Sequence, residues 1–412
     1  MNKENNSVMN KRYYGITVIK SENSNWNADF SGFPRRLPDD NSTIYATDKA
    51  LKYAIRKYWN DKKQNVFVWK SHKESIGNEG EIKIVPRKLD ERFLHMQTKL
   101  LLKEKSFPEE KVEYFAEIVK KVLDLSEKLT KEKKQDEKDK ISKEIEVIYS
   151  NCDDLKENKE NKEKIESIVE QINKASKDQK HYYEVFSQCL DVKLFGITYA
   201  GDTNISITGP AQISYGVNKY KDNTVYSNQI LSPYRNDKEK TSSEGEKETK
   251  ESDASTLGSE IKALECYYVY DFVINPKNLT DHIEGFFGLE SDINMNLTNN
   301  DIDLFKEAIN RCASNLRTSS KFAENVFTFF VAVNDDKLQL PTLKNYISIY
   351  KQNNDGLDKI CINIKELQKL LGKYNNSMDV EIFCCPGLLI DSEPAPTWEI
   401  KDILKDILKE EQ

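Results

Sequence analysis

The run Val326–Val333, VFTFFVAV, holds eight residues with no charge and a single hydroxyl. A bilayer span takes about 20 apolar residues, and a one-sided helix would interleave polar positions at helical spacing. The run therefore reads as a strand buried on both faces or packed under a helix, and the rest of the chain must supply its cover. Two other segments share its character. Tyr13–Lys20 (YYGITVIK) is short, aromatic and β-branched, and Leu264–Ile274 (LECYYVYDFVI) is an alternating aromatic strand.

Helices lie between these strands. Thr47–Asn60 spaces Leu51, Ala54, Ile55 and Tyr58 as a core stripe, and Asp301–Leu316 does so with Leu304, Phe305, Ala308, Ile309, Cys312 and Leu316. Asn65–Trp69, Ile82–Val85, Asp191–Ala200 (DVKLFGITYA) and Asn204–Gly216 (NISITGPAQISYG) read as further strands, the last two around the turn residues Gly201-Asp202. With insertions set aside, the order is strand, helix, strands, strand, helix, strand. That is the β-α-β-β-α-β logic of the ferredoxin-like and RNA-recognition-motif (RRM) class, an α+β fold.

Two stretches interrupt it. From Pro108 to Lys180, Val112, Phe115, Val119, Val122 and Leu129, then Ile141, Ile145 and Ile148, then Ile165, Ile168 and Ile172 repeat at helical spacing. Runs such as TKEKKQDEKDK separate them, so a helical insertion with solvated, charged faces is expected. Arg235–Gly258 is apolar-poor and low in complexity, a loop within a folded unit. These tracts account for 32% charged against 38% hydrophobic residues in a chain of 412. Beyond Asp301–Leu316 and Val326–Val333, another helix and strand run to Cys385, followed by an acidic helical tail.

The chemistry on offer is narrow. GxxxxGK[ST], GxGxxG after a strand, HExxH and GxSxG are all absent. The four histidines, His72, His95, His181 and His282, are far apart in sequence, which supplies an acid-base or metal centre poorly. The seven cysteines lack ligand spacing, and Cys384-Cys385 are adjacent, so no zinc site or disulfide is expected and the count suits a reducing cytoplasm. MNKENNSVMNKRYYG offers no signal-peptide core, and no stretch is long and apolar enough for a membrane span. Asp39-Asp40, Asp153-Asp154 and Asp335-Asp336 read as turn or cap residues.

Charge is what stands out. The chain carries a net −7, yet Phe33–Lys73 holds ten basic residues against four acidic ones. Arg35 and Arg36 sit in a proline-bounded loop, and Lys49, Lys52 and Arg56 recur at three and four residues as a second, cationic stripe of the helix. Guanidinium forks and ammonium groups in such an array suit backbone phosphates.

Several blocks in fixed order carry a family resemblance: YYGITVIKSENSNWNADFSGFPRR, ATDKALKYAIRKYW, DVKLFGITYA with NISITGPAQISYG, and STLGSEIKALECYYVYDFVINP. They cover most of the chain outside the helical insertion and the C-terminal third. In them the chain resembles the repeating backbone subunit of the type I CRISPR surveillance complex, the Cascade subunit that coats crRNA, most closely its type I-B branch. The resemblance implies an RRM-like palm, a helical finger and a thumb, with copies stacked head to tail as a helical filament along the guide. Residues 1–105 would begin the palm and 106–182 would be the finger. Palm strands would follow at 183–216, the thumb at 217–263, the rest of the palm at 264–385 and the acidic helical tail at 386–412.

Carried onto this sequence, Lys20, Ser21, Asn23 and Asn25 end the first strand facing the RNA, and Arg35 and Arg36 match the family's basic pair. Thr47, Lys49, Lys52 and Arg56 lie on the helix whose exposed face holds the guide. Thr256, Leu257 and Gly258 fall at the thumb tip, Leu257 as an apolar wedge beside a displaced base. The implied partners are crRNA, target DNA through the guide, further copies and other Cascade subunits, in the cytoplasm and away from membranes; no cofactor, metal or enzymatic activity is implied. Two features depart from the family pattern, a thumb lengthened by its charged tract and a longer, more charged finger. The RRM aromatic signature is also absent, which suits backbone gripping over base stacking. Two other readings differ in class. A type III-like backbone subunit would cut target RNA with Asp29, Asp39 or Asp40 and a divalent cation, and a stand-alone RNA-binding module would work outside any filament.

Overall fold

In the computed structural model, which describes residues 7–38, 43–76, 81–175, 179–201, 203–235, 255–288, 295–334, 337–354 and 356–405, the main sheet is organised around the strand Arg12–Glu22, here β1. It pairs antiparallel on one side with Glu265–Ile274 and on the other with Ala323–Val333, so that Val18 faces Val269 and Thr17 faces Thr328. The two threonine hydroxyls meet across the strands at 3.2 Å. A side chain at Gly15 would strike the Phe272 ring at 2.2 Å and the Phe329 carbonyl at 2.5 Å, so close packing at the sheet's centre excludes one there.

The sheet has eight strands. Glu265–Ile274 also pairs with Gly216–Asn218 and Ala211–Ile213, and Gly216–Asn218 with Tyr45–Ala46. Beyond Ala323–Val333 come Met378–Cys384 and then, in parallel, Glu399–Asp402. Ala323–Val333, β1, Glu265–Ile274 and Gly216–Asn218 thus lie side by side, an order in which each long strand is flanked by antiparallel neighbours. This is the split β-α-β arrangement.

Helix α1, Asp48–Asp61, is capped by Thr47, whose hydroxyl accepts from the Ala50 N–H at 3.3 Å, with Asp48 in its first turn. Its stripe Leu51, Ala54, Ile55, Tyr58 is buried as the spacing predicts. The helix Asn299–Asn315 starts at a capping box of Thr298 and Asp301. Tyr58 donates to Glu307 Oε1 at 2.6 Å and the Trp59 indole to the Leu304 carbonyl at 3.1 Å, which joins the two helices. On the opposite face of the sheet, Tyr14, Ile16, Val18, Tyr267 and Phe329 share a core with Leu343, Ile349, Ile362, Leu367 and Trp398. Both faces are covered, and burial of each such side chain contributes on the order of 1.5–3 kcal/mol.

The chain divides into two compact units. The sheet belongs to one, Met1–Lys62, Ala211–Pro276 and Thr298–Gln412; the other is Lys63–Pro210 with Lys277–Leu297. Within the second unit, helices Leu89–Glu104, Val112–Lys131, Gln135–Asn151 and Lys159–Ala175 bury Phe107, Phe115, Val119, Ile165 and Ile168 together. A second core gathers Phe93, Tyr182, Phe186, Tyr199, Ile205, Leu279 and Ile283. The helical region thus extends well past both ends of the charge-dense stretch 106–182, because Leu89–Glu104 and Lys277–Phe287 carry apolar stripes without its Lys/Glu density.

Two strand assignments need correction. Asn65–Trp69 is irregular, and the first half of Asp191–Ala200 is helix, Leu190–Phe195, before a strand Gly196–Ala200. For Asn65–Trp69 the cause is visible. The Asp191 carboxylate accepts the N–H groups of Phe67 (2.7 Å) and Val68 (2.9 Å), and Arg92 donates to the Val66 and Phe67 carbonyls at 2.6 and 3.1 Å. Side chains thereby satisfy backbone groups that a strand would have paired with another strand. Gly196, at φ 72°, then ends the helix. The acidic tail is not helical where described: Leu389–Ile390 and Glu399–Asp402 are strands and Trp398 lies in the core. Its end, 406–412, lies outside the described residues, as do Asp39, Asp40, Asp335, Asp336 and most of the low-complexity loop, 236–254.

Candidate nucleic-acid interface

The segment leaving β1 is held by its own polar side chains. Ser21 is fully buried, its hydroxyl 2.8 Å from that of Ser24, which donates to the Phe322 carbonyl at 2.9 Å. Asn23 takes a left-handed φ of 48° and accepts from the Tyr226 hydroxyl at 3.0 Å. Asn25 is buried, and its amide donates to the carbonyls of Gly32 (3.1 Å) and Ile261 (2.6 Å) while accepting from the Ala263 N–H at 3.1 Å. These bonds tie the loop to the antiparallel hairpin of Val225–Arg235 and Ser255–Ala263.

The same loop fixes the start of α1. The Trp26 indole, buried, donates to the Tyr270 hydroxyl at 2.8 Å, which donates to the Thr47 carbonyl at 3.3 Å. Burial pushes the Tyr270 phenol up, so it stays neutral and able to donate. Asn27 Oδ1 accepts both the N–H and the hydroxyl of Thr47 at 3.0 Å. Neither tryptophan nor asparagine stood out in the sequence; a polar-aromatic NWN before a helix cap is the local signal that could have found them.

Arg35 and Arg36 follow in extended chain. The Arg35 N–H donates to the Asn27 carbonyl at 3.4 Å, its carbonyl accepts from Tyr45 at 2.9 Å, and Arg36 bridges to Ile44. The Arg35 guanidinium is half-buried with its Nε lacking a partner, and Arg36 is exposed. On α1, Lys49 is exposed, Arg56 is half-buried, and Lys52 is largely covered with its ammonium 3.3 Å from Asp48. Lys20 pairs with Glu22 at 2.6 Å and lies 3.9 Å from Glu324. Burial acts to lower its pKa, but the hydrogen bond and charge of Glu22 outweigh that and raise it.

The predicted residues thus separate. Arg35, Arg36, Lys49 and Arg56 bring cationic groups to the surface of one unit. Lys20 and Lys52 are already partnered by carboxylates, and Ser21, Asn25 and Thr47 spend their polar groups on neighbouring backbone and side chains. Thr256, Leu257 and Gly258 lie on the strand Ser255–Ala263, with Leu257 opposite Leu231 and Gly258 opposite Ile230. Asp29, the described carboxylate of the cleavage reading, accepts the N–H groups of Ser31 and Phe33 on Oδ1, both at 2.9 Å, and so closes a turn. Among the described residues no helix is long and apolar enough to cross a membrane.

Set against protein-family models, the chain matches that of CRISPR-associated protein Cas7 over residues 11–365. No curated protein matches it significantly. Among solved structures it is similar to a chain of a "CRISPR RNA-guided surveillance complex, pre-nicking", with 12% identity and a TM-score of 0.41 over 95% of this chain and 96% of that one. A chain from another "CRISPR RNA-guided surveillance complex" gives 11%, 0.38, and the same 95% and 96% coverage. The family match takes in β1, the loop after it, α1 and the hairpin, and by it this chain belongs to the CRISPR-associated protein Cas7 family.

Proposed function

We propose that the chain is the crRNA-binding backbone subunit of a type I interference complex, most like type I-B. It polymerises along the guide and presents it for pairing with target DNA in antiviral defence. The observation that carries this reading is the family match over residues 11–365. The split β-α-β order of the sheet supports an RRM-like palm, the Lys63–Pro210 unit a finger, and the Val225–Arg235/Ser255–Ala263 hairpin a thumb carrying Leu257 toward a displaced base. The work of the site is electrostatic and positional, without catalysis. Arg35, Arg36, Lys49 and Arg56 neutralise phosphates, with Lys20 and Lys52 beside them. Asn23, Ser21, Asn25 and Thr47 hold the backbone that displays these cations. The assembly would be a cytoplasmic ribonucleoprotein with the other Cascade subunits. Mass measurement of complexes reconstituted on guides of increasing length tests it: copies should add at a constant nucleotide increment, whereas one copy on every length would refute the filament.

A further inference from the structure

An RRM stacks bases on the open face of its sheet. Here that route is closed, since both faces are buried, so any base that meets an aromatic ring must meet it elsewhere. Exposed phenylalanines are few among the described residues: Phe30, Phe33, Phe286 and Phe322. Two of them, Phe30 and Phe33, lie in the loop after β1, and the carbonyl of a third, Phe322, accepts from the Glu22 N–H and the Ser24 hydroxyl at the loop's start. Phe30 is wholly exposed at 107%, Phe33 is at 49%, and Phe322 is at 55%. A solitary exposed apolar side chain needs no explanation. Two in one loop, with a third on the segment bonded to it, do.

The loop holds Phe30 rigidly. Asp29 N–H donates to the Phe33 carbonyl at 2.8 Å, Gly32 N–H to the Asp29 carbonyl at 3.2 Å, and Ala28 bridges to Pro34. The Asp29 carboxylate closes the same turn from inside, Gly32 takes φ 86°, and Asn25 clamps the Gly32 carbonyl. Phe30 therefore sits, wholly exposed, at the tip of a short hydrogen-bonded hairpin. Cations flank it: Arg35 and Arg36 continue the same hairpin. The turn before the strand Ala323–Val333, tied to the loop by the Asn25 N–H to the Ser320 carbonyl at 3.2 Å, brings Lys321, over the Trp26 ring at 5.9 Å, and Arg317, paired with Glu324 at 2.8 Å and 5.0 Å from the Phe322 ring.

We propose that the exposed Phe30 is a stacking platform for an unpaired base of the bound guide RNA, with Arg35 and Arg36 of the same hairpin holding that nucleotide's phosphate. Interleaved rings and cations are what sequence-tolerant single-strand binding uses. The proposal rests on the guide-binding reading above and adds a base contact to it.

Binding of the full chain to a guide-length single-stranded RNA, and to the same strand with abasic sites at every position, tests it. Phe30→Ala should weaken the normal strand about five- to a hundredfold while leaving the abasic strand unchanged, because only the normal strand has rings to lose. Phe30→Trp should restore normal binding. Equal loss on both strands would mean that Phe30 docks on a neighbouring protein copy, and no loss on either would mean an idle side chain; both overturn the proposal. Failure of the wild-type chain to bind either strand instead removes the guide-binding reading itself.

Discussion

The loop Asn23–Arg36 and helix α1 both supply basic groups, and they use their polar residues in opposite ways. On α1 the period of the helix sorts side chains without outside help: Leu51, Ala54, Ile55 and Tyr58 go to the core, and Lys49 and Arg56 go to the surface. In the loop no period exists, and each side chain goes where a partner distant in sequence takes it. Asn25 reaches Ile261 and Ala263, Trp26 reaches Tyr270, and Ser24 reaches Phe322. The helix presents charge; the loop is a scaffold that aims charge. Residue type alone suggested the same role for both.

That contrast breaks most readily at Asn25. Asn25→Ala would leave the Gly32 and Ile261 carbonyls and the Ala263 N–H without their partner inside a closed loop. Each buried orphan costs about 1–3 kcal/mol, so a loss of roughly 2–4 kcal/mol is expected after some relaxation. Denaturant unfolding measures it, against Lys49→Ala as the helix control, which should leave stability within about 0.5 kcal/mol. A loss at Asn25 no larger than at Lys49 would show that the loop is not built on its amide.

The same distinction separates what the sequence reveals from what it hides. The strands Arg12–Glu22, Glu265–Ile274 and Ala323–Val333 and the helices Asp48–Asp61 and Asn299–Asn315 lie within a few residues of where apolar spacing puts them, since burial on a fixed period is a local property. Asp191 shows the limit. Its carboxylate takes backbone N–H groups more than 120 residues earlier in the chain, and those bonds, invisible in DVKLF, satisfy the backbone of Asn65–Trp69 without a strand partner. Of the cover on the sheet's second face, from Leu343 to Trp398, a helix before Cys385 is visible in the sequence, but the strands are not, because they are short and mixed in polarity. In the candidate site, charge density makes the proposed basic residues visible in the sequence, whereas Ser21 and Asn25, expected to face RNA, are buried against protein. The exposure of Phe30 is not visible in the sequence because it depends on the turn that carries it.

A smaller effect sharpens the comparison within α1 itself. Lys49 and Lys52 look equivalent by spacing, but Lys52 is largely covered and pairs with Asp48 at 3.3 Å, whereas Lys49 is exposed. A cation that already holds a carboxylate neutralises less phosphate charge and so releases fewer of the strand's condensed counterions, and it contributes less to the salt dependence of RNA binding. Lys49→Ala should lower the slope of log affinity against log salt by about 0.7, the single-strand value for one phosphate contact. Lys52→Ala should lower it by less, while still weakening binding at low salt because Asp48 is left to repel the strand. Salt titrations of the two variants on one RNA measure both quantities. Equal slopes would mean that the Asp48–Lys52 pair opens on binding, and the helix would then resemble the loop in having its charges set by a partner rather than by its own period.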